Sequence, residues 1–365
     1  MGPISIPVYR QVSPFFAFFI IASMQVGVGI LGFERYIAQD AGHDAWVAVI
    51  LSGLSVNVLI FLMYRILQHE KGDIFAIHQA IAGKLVTQVI MLYFFFYFYF
   101  YTLVVLRTYL EVIQIWMFPE LKPWMFGLAV LFIAIYYVKG GFRVLAGLAF
   151  FSFLFGFPLL FLKYFTLKNS TFTNLLPFLN HSMKDYLLAT KTMTLNNLGF
   201  EALLFFYPFF KDPQKSEKWA QYGSIFTTSV YLISTLTTFV YFSQGQLAGT
   251  IWPTLTLWKI VNFSFIERFE YIGVSLWIFI ILPNICFGLW VCSWLGKRLY
   301  EVSQKKVLFS TSALLLAGII FFEDREYIDR LNSDYSTIGF YTIMIYIPLL
   351  YALTWLKYRG KEKSQ

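Results

Sequence analysis

Charged residues are scarce in this sequence. They make up 13% of its 365 residues, against about 25% in ordinary soluble domains. Hydrophobic residues make up 58% and aromatic residues 21%. No secretory signal is visible, because the first apolar run after Arg10 is too long for one and lacks a small-residue cleavage site. The composition predicts a polytopic membrane protein without a large soluble domain.

Cysteine and histidine are also few. The two cysteines, Cys286 and Cys292, share one apolar run at a spacing that matches no metal or redox motif. The four histidines are scattered through loops and interface segments: His43, His69, His78 and His181. Neither a nucleotide-binding loop nor a Ser-His-Asp set is evident. We therefore expect no enzymatic activity, no metal and no cofactor.

The net charge of +8 does not predict nucleic-acid binding. Basic residues lie between the apolar stretches, whereas nucleic-acid binding requires them on one face or tail. Most of them fall in alternate loops, on the side of the N-terminus. The positive-inside rule then places both termini in the cytoplasm.

Apolar stretches of about 20 residues each predict transmembrane helices. We identify ten of them: 14–38, 45–66, 85–113, 123–138, 142–165, 184–210, 218–243, 268–296, 306–322 and 337–357. The predicted fold class is an all-α polytopic membrane protein, with a single integral membrane domain over residues 1–365.

Two further segments are predicted at the membrane surfaces. Residues Asp73–Ile81 are partly polar and suit an interfacial helix on the cytoplasmic side. The stretch 219–258 is uncharged and too long for one span. Polar residues, glycines and a proline interrupt its helical pattern: Gln244, Gly245, Gln246, Gly249 and Pro253. We predict that residues 254–263 form a short helix on the outer surface.

A glycine-rich run interrupts the first span at Gln25-Val26-Gly27-Val28-Gly29-Ile30-Leu31-Gly32. Glycine weakens a helix by about 1 kcal/mol relative to alanine. Freed backbone groups within a membrane are tolerated only where they face protein, water or ligand. The run therefore predicts a broken helix whose amides and carbonyls face a ligand. Close packing of two helices is the alternative.

The sixth span carries polar residues in mid-membrane, Asn196-Asn197-Leu198-Gly199-Phe200-Glu201. Broken helices in corresponding positions of two halves are typical of transporters built as inverted repeats. We predict a five-plus-five repeat, with the first unit at about 14–165 and the second at about 184–357. Asn196 and Asn197 either contact ligand or satisfy exposed backbone.

Glu201 is the sharpest single candidate, because a carboxylate near the bilayer centre is costly and usually faces a cavity or a partner. It binds a ligand ammonium, carries a proton, or is a neutral acid bonded between helices. In span 3, Tyr97 lies on one face with Tyr93 and Tyr101. Tyrosines on one helix face can line a pocket, but more often they pack against neighbouring helices. Of the three, Tyr97 is the best candidate for lining a pocket.

The sequence lacks the usual ion-coupling devices. Span 8 offers Pro283, which loosens the helix near Asn284, but only one hydroxyl, Ser275. Span 5 has no lysine at mid-depth, since Arg143 and Lys163 flank it. Both points count against ion-driven transport.

Four blocks of sequence resemble the B subunits of bacterial spore germinant receptors, the GerAB family. The first is the run from Gln25 together with Ala41-Gly42-His43-Asp44-Ala45-Trp46, and the second is Leu198–Glu201. The third is Ile251-Trp252-Pro253-Thr254-Leu255 together with Phe265-Ile266-Glu267-Arg268-Phe269-Glu270. The fourth is Ser333-Asp334-Tyr335. Length and short tails also fit, so the resemblance covers the whole chain. One departure is Phe33-Glu34-Arg35, where members often have Leu-Pro-Arg.

The resemblance implies an amino acid–polyamine–organocation (LeuT/APC-like) fold used for sensing. Such B subunits sit in the spore inner membrane with an A-type membrane subunit and a C-type lipoprotein subunit. They bind a nutrient, and the complex triggers germination. Carried over by position, the ligand-binding residues are Gln25, Val26, Gly27, Val28, Gly29, Ile30, Tyr97, Asn196, Asn197, Leu198, Gly199, Glu201 and Asn284.

The resemblance also suggests a route to partners through the outer helix, with Trp252 and Pro253, and through Glu267, Arg268 and Glu270. The plainer interpretation of the last three is a solvated helix start. An amino acid is the favoured nutrient, while a sugar and a nucleoside stay open. A proton-coupled amino-acid symporter and a scaffold without ligand are the alternative functions.

Overall fold

The computed structural model describes residues 6–262 and 267–362, which are helical apart from turns and one isolated β-bridge between Val12 and Phe210. The helices of the first half are α1 (Phe16–Gln25), α2 (Phe33–Ala41), α3 (Trp46–Leu67), α4 (Ile74–Trp116), α5 (Pro123–Lys139), α6 (Phe142–Gly156) and α7 (Lys163–Lys168). A 3₁₀ turn, Val28–Leu31, separates α1 from α2, and another, Phe157–Leu162, separates α6 from α7.

The second half repeats the pattern of short broken helices followed by long ones. Its helices are α8 (Met183–Thr192), α9 (Thr194–Asn197), α10 (Leu203–Phe206), α11 (Glu217–Tyr241), α12 (Gln244–Gly249), α13 (Pro253–Trp258), α14 (Phe269–Tyr300), α15 (Gln304–Phe321), α16 (Arg325–Tyr341) and α17 (Ile347–Glu362). A π-helical turn, Thr342–Tyr346, joins α16 to α17.

Seven helices in the described part of the chain are long and apolar enough to cross a membrane. Three shorter apolar helices occupy the places predicted for spans 1, 4 and 6: Phe16–Gln25, Pro123–Lys139 and Phe200–Phe209. The all-α membrane architecture is thus confirmed, while the count of ten spans stays a prediction. The long helix α14 packs against α4 and α6, and α11 packs against α1 and α3.

The predicted interfacial helix lies at the start of α4. Asp73 caps it, because its carboxylate accepts the N–H of Phe75 at 3.1 Å. Gly83, with a φ of 79°, then breaks the helical path before the membrane-spanning part. The buried Arg298 of α14 holds Asp73 through two contacts of 2.6 and 3.1 Å. This ion pair ties the segment to the core of the molecule.

Two predicted boundaries were wrong. The outer helix was predicted at 254–263, but α13 spans only Pro253–Trp258, and residue 263 lies outside the described part. The last span was predicted at 337–357, but its helix begins at Arg325. The polar residues of α16 lie on an exposed face while Ile328, Leu331 and Tyr335 are buried. An amphipathic helix of this kind is invisible to a hydropathy threshold.

One expected break forms a helix instead. Residues Gln244–Gly249, predicted only to interrupt the chain, make the short helix α12. Ser243 and Gln246 form a reciprocal capping box at its start, which satisfies two otherwise unpaired backbone donors.

Candidate functional site

The two predicted helix breaks are present and touch each other. Helix α1 ends at Gln25, and the backbone is extended at Val26 and Gly27 before the 3₁₀ turn. In the sixth segment α9 ends at Asn197, and Gly199 adopts a φ of 116°, which only glycine tolerates easily. The side-chain amide of Gln25 donates to the carbonyl of Asn197 at 3.3 Å.

Carbonyl groups at the first break already have side-chain donors. The carbonyl of Met24 accepts the Tyr101 hydroxyl at 2.8 Å and the Asn284 amide at 2.9 Å. The hydroxyl of Tyr231 donates to the carbonyl of Gln25 at 3.0 Å. The indole of Trp277 donates to the carbonyl of Gly27 at 3.3 Å.

Two amides at this break have no such partners. The backbone N–H of Gly27 faces the hydroxyl of Tyr231, but within residues 6–262 and 267–362 no group accepts the backbone N–H of Val28 or Gly29. Since buried backbone donors are nearly always paired, these two N–H groups are the free hydrogen-bonding capacity of the site. They are suited to a carboxylate or another anionic group.

A cavity of about 560 Å³ opens beside the breaks. Seven of the predicted ligand-binding residues line it: Gln25, Gly27, Val28, Gly29, Asn196, Leu198 and Asn284. Two acceptors on this wall, Gln25 Oε1 and Asn284 Oδ1, are buried and have no donor among the described residues. Residues with free donors and residues with free acceptors therefore line the same cavity.

Aromatic and charged side chains complete the cavity. Tyr36, Tyr101, Tyr231 and Trp252 contribute rings to its lining. Four charged residues also line it: Glu111, Lys191, Arg325 and Asp329. Arg325 lies 3.4 Å from Glu111 and 3.6 Å from Asp329, so these charges partly neutralise one another.

Six predicted ligand-binding residues do not line this cavity. Val26 and Ile30 line a separate cavity of about 70 Å³. Tyr97, Asn197, Gly199 and Glu201 lie outside both linings. Glu201 is fully buried, and its carboxylate accepts the hydroxyl of Tyr97 at 2.7 Å and the N–H of Gly199 at 2.8 Å. This places Glu201 behind the second break, in contact with its backbone.

The candidate partner residues are placed separately from one another. The ring of Trp252 packs against Gly32, so that a Cβ at Gly32 would lie 2.8 Å from it. Pro253 is buried at the first position of α13. Arg268 forms an ion pair with Glu270 at 3.0 Å, and Glu267 is exposed. Trp252 alone of these residues lines the central cavity.

Two polar clusters were missed in the sequence. The sequence predicts Lys163 at the edge of span 5, but its side chain is buried and donates to Ser234 and Thr254. Ser275, the hydroxyl considered for an ion site, is exposed and lies 3.8 Å from the sulfur of Met117. Lysine burial depends on partners distant in sequence, so hydropathy carried no signal for it.

The second cluster surrounds Asp44, between α2 and α3. Its carboxylate accepts the N–H groups of Leu179 and Asn180 at 2.9 and 2.8 Å and Nδ1–H of His181 at 2.9 Å. Burial alone would raise the pKa of Asp44, but these hydrogen bonds outweigh it and hold the pKa below its ordinary 3.8. The cluster pins the connection between the two halves to the first half.

His43, the preceding residue, belongs to the same cluster. Its Nδ1–H donates to the carbonyl of Asn174 at 2.6 Å, and its ring stacks on Phe239 with centroids 4.7 Å apart. Burial lowers the pKa of His43 below its ordinary 6.5, and the Asn174 carbonyl and Asp44 oppose this only in part. The Gly-His-Asp block therefore has a structural role.

The fold matches that of solved transporters. The chain aligns with MhsT, solved in complex with L-phenylalanine, at a TM-score of 0.64 and 13% identity, covering 94% of this chain and 88% of that one. A manganese transporter of Eremococcus coleocola gives a TM-score of 0.60 at 9% identity, covering 96% and 81%. At these identities the likeness establishes the LeuT/APC-type fold alone.

Sequence relatives are spore germination proteins. Spore germination protein GerQB of Bacillus cereus is 40% identical over 348 residues, which is 95% of this chain and 97% of the relative. Spore germination protein B2 of Bacillus subtilis is 25% identical over 69% of each chain. A family model described as "Spore germination protein" matches residues 11–328. The chain therefore belongs to the spore germination protein family, among the B-type subunits of germinant receptors.

Proposed function

We infer that this chain is the nutrient-sensing subunit of a spore germination receptor and binds a small nutrient in the cavity beside the two helix breaks. The observation that carries this inference is that the residues with two free backbone N–H groups, Val28 and Gly29, and the residues with two free amide oxygens, Gln25 and Asn284, line one cavity. A zwitterionic amino acid presents both an acceptor, its carboxylate, and a donor, its ammonium. An amino acid is therefore the favoured nutrient.

The proposed contacts follow from that arrangement. The nutrient carboxylate accepts from the N–H groups of Val28 and Gly29, while its ammonium donates to Gln25 and Asn284. The aromatic side chains surround the rest of the ligand. Tyr97, Asn197, Gly199 and Glu201 shape the second break from behind, and Val26 and Ile30 support the first break from the other side.

Sensing requires the nutrient to bind two conformations of the chain with different affinity. Broken helices supply such conformations, because their halves move without unwinding a complete helix. The proposed receptor also contains an A-type membrane subunit and a C-type lipoprotein in the spore inner membrane, with both termini of this chain in the cytoplasm. Co-purification of tagged full-length chain from spores tests that composition.

Ligand binding is tested directly on the purified chain in lipid nanodiscs. We would measure the shift in unfolding temperature with a panel of L-amino acids, nucleosides and sugars, because a ligand that binds only the folded state stabilises it. A saturable shift with one or more amino acids supports the inference. A shift with nucleosides alone would keep the site but change the nutrient class, for which 560 Å³ leaves room. No shift with any compound would contradict nutrient binding by this chain.

Proton-coupled amino-acid transport is the second candidate, favoured by two fully buried carboxylates, Glu34 and Glu201. It predicts uptake of labelled amino acid into proteoliposomes under an imposed proton gradient. Binding without gradient-driven uptake would assign the chain to sensing, and uptake above that of empty liposomes would assign it to transport.

A further inference from the structure

A second group of buried polar side chains lies behind the outer half of the first broken helix. Glu34 of α2 is wholly buried, and its Oε1 accepts three hydroxyls. Ser234 and Thr254 donate at 2.8 Å each, and Thr238 donates at 3.2 Å. A carboxylate that is removed from water and accepts three hydroxyls on one oxygen is stabilised by a positive charge nearby.

Lys163 supplies that charge. It is buried at the start of α7, and its Nζ donates to Ser234 at 3.0 Å and to Thr254 at 3.3 Å. Each of these hydroxyls accepts from the ammonium and donates to the carboxylate. Ser234 and Thr254 thus bridge the two charges, and hydrogen bonds polarised in this way strengthen one another.

The bridge joins elements that are far apart in sequence. Glu34 belongs to α2, which begins directly after the cavity-lining residue Gly32. Thr254 belongs to α13, which follows the cavity-lining Trp252. Ser234 belongs to α11. Two walls of the central cavity are therefore fastened to α11 through this one pair of charges.

We propose that the bridged Glu34–Lys163 pair is a latch that fastens α13 to α2 and α11 and thereby sets how easily the central cavity opens. Removing one charge leaves the other buried without compensation, which is far more costly than removing both. The single variants are expected to release α13, and the double variant is expected to keep it in place.

Cysteine labelling measures the position of α13. The native cysteines Cys286 and Cys292 are fully buried, so background labelling by a polar maleimide is low. Thr256→Cys places a reporter at a half-buried position of α13. Gly249→Cys is the control reporter, because position 249 is exposed and a Cβ there meets nothing within 4 Å.

The test is a charge cycle in the Thr256→Cys background, with the full-length chain in nanodiscs and no nutrient. We expect Glu34→Gln and Lys163→Met each to raise the labelling rate about tenfold or more. The double variant should return to within about threefold of the parent. Labelling at Gly249→Cys should not change. Single variants that label like the parent, or a double variant that is no closer to the parent than the worse single variant, would overturn the latch.

The latch can be tested even if the single variants fold poorly. The amount of each single variant in the membrane is then compared with the amount of the double variant. A higher amount of the double variant would show the same coupling between the two charges, and an equal or lower amount would contradict the latch.

The latch rests on the proposed function only where it concerns nutrient. If the double variant recovers but no compound shifts the unfolding temperature, the latch stands and the sensing function is contradicted. If a compound shifts the unfolding temperature but the effects of the two single variants simply add, sensing stands and the latch is contradicted.

Discussion

The carboxylate of Glu201 accepts the N–H of Gly199 at 2.8 Å and the hydroxyl of Tyr97 at 2.7 Å, so one buried acid fixes the backbone of the second helix break. Glutamine at this position can still accept from Gly199 and donate to Tyr97. Alanine leaves two buried groups unpaired, at about 1–3 kcal/mol each.

We therefore expect Glu201→Ala to lower the free energy of unfolding by about 2–6 kcal/mol and to deplete the chain from the spore membrane, whereas Glu201→Gln keeps near-normal levels. Immunoblots and nutrient dose–response curves of spores that carry each variant as their only receptor provide the measurement. A normal level of Glu201→Gln with a strongly shifted dose–response would instead assign the ionised carboxylate to sensing.

Gly29 and Gly27 make a matched pair of substitutions in the first break. A Cβ at Gly29 would lie 2.0 Å from Asn196 Oδ1, whereas one at Gly27 would lie 3.6 Å from the Asn284 amide nitrogen. Asn196 is half-buried and lines the cavity, so it must turn away from this Cβ, at a cost to nutrient binding of about 1–3 kcal/mol. Gly29→Ala should raise the nutrient concentration for half-maximal response about ten- to hundredfold, with Gly27→Ala within about threefold of native. Equal responses of the two variants would show that Asn196 does not shape the site.

Gly339 of α16 lies against the second break. A Cβ at this position would lie 2.3 Å from the Leu198 Cδ1 atom, while one at Gly147 of α6 meets nothing within 4 Å. Gly339→Ala should lower the free energy of unfolding by about 1–3 kcal/mol. Gly147→Ala should raise it by up to about 1 kcal/mol, because alanine is the better helix former. Unfolding temperatures in detergent test both, and a harmless Gly339→Ala would mean that Leu198 repacks freely.

The His43 cluster predicts a dependence of stability on pH. Because burial lowers the pKa of His43, the folded chain keeps this residue neutral to a lower pH than the unfolded chain, which takes up a proton below the ordinary pKa of 6.5. The contribution of His43 to the free energy of unfolding is therefore fully present above pH 6.5 and declines as the pH falls below it. The contribution of Asp44, whose folded pKa is depressed, is lost only below its ordinary 3.8.

Unfolding temperatures between about pH 7.5 and pH 5 separate these two residues. We expect His43→Gln to flatten the decline, and Asp44→Asn to lower stability across the whole range without flattening it. A His43→Gln variant with the native pH dependence would assign the titration to another group.

The sequence predicted what depends on local composition. Glycines at 27, 29 and 199 disfavour a continuous helix wherever the chain goes, and the polar run at 196–201 sits in a segment too apolar for a loop. Both breaks were found where these residues lie. The interfacial helix predicted from Asp73 was equally local, because its start depends on the Asp73 carboxylate, which accepts the N–H of Phe75.

The sequence could not predict which side chains near a helix break face the cavity. Glu201 and Leu198 are three residues apart, yet Leu198 lines the cavity and Glu201 faces Tyr97. The direction depends on Gly199, whose left-handed φ reverses the path of the chain. Lys163 shows the same limit, because its burial requires Ser234 and Thr254, contributed by α11 and α13.

The π-helical turn Thr342–Tyr346 has a consequence for the register of the last helix. A π turn holds one more residue than an α turn, and each residue turns an α-helix by about 100°. Deleting one residue from this turn would restore a regular helix and rotate α16 by that angle relative to α17. Gly339 and Tyr335 would then face away from the second break, although no residue that lines the cavity had changed.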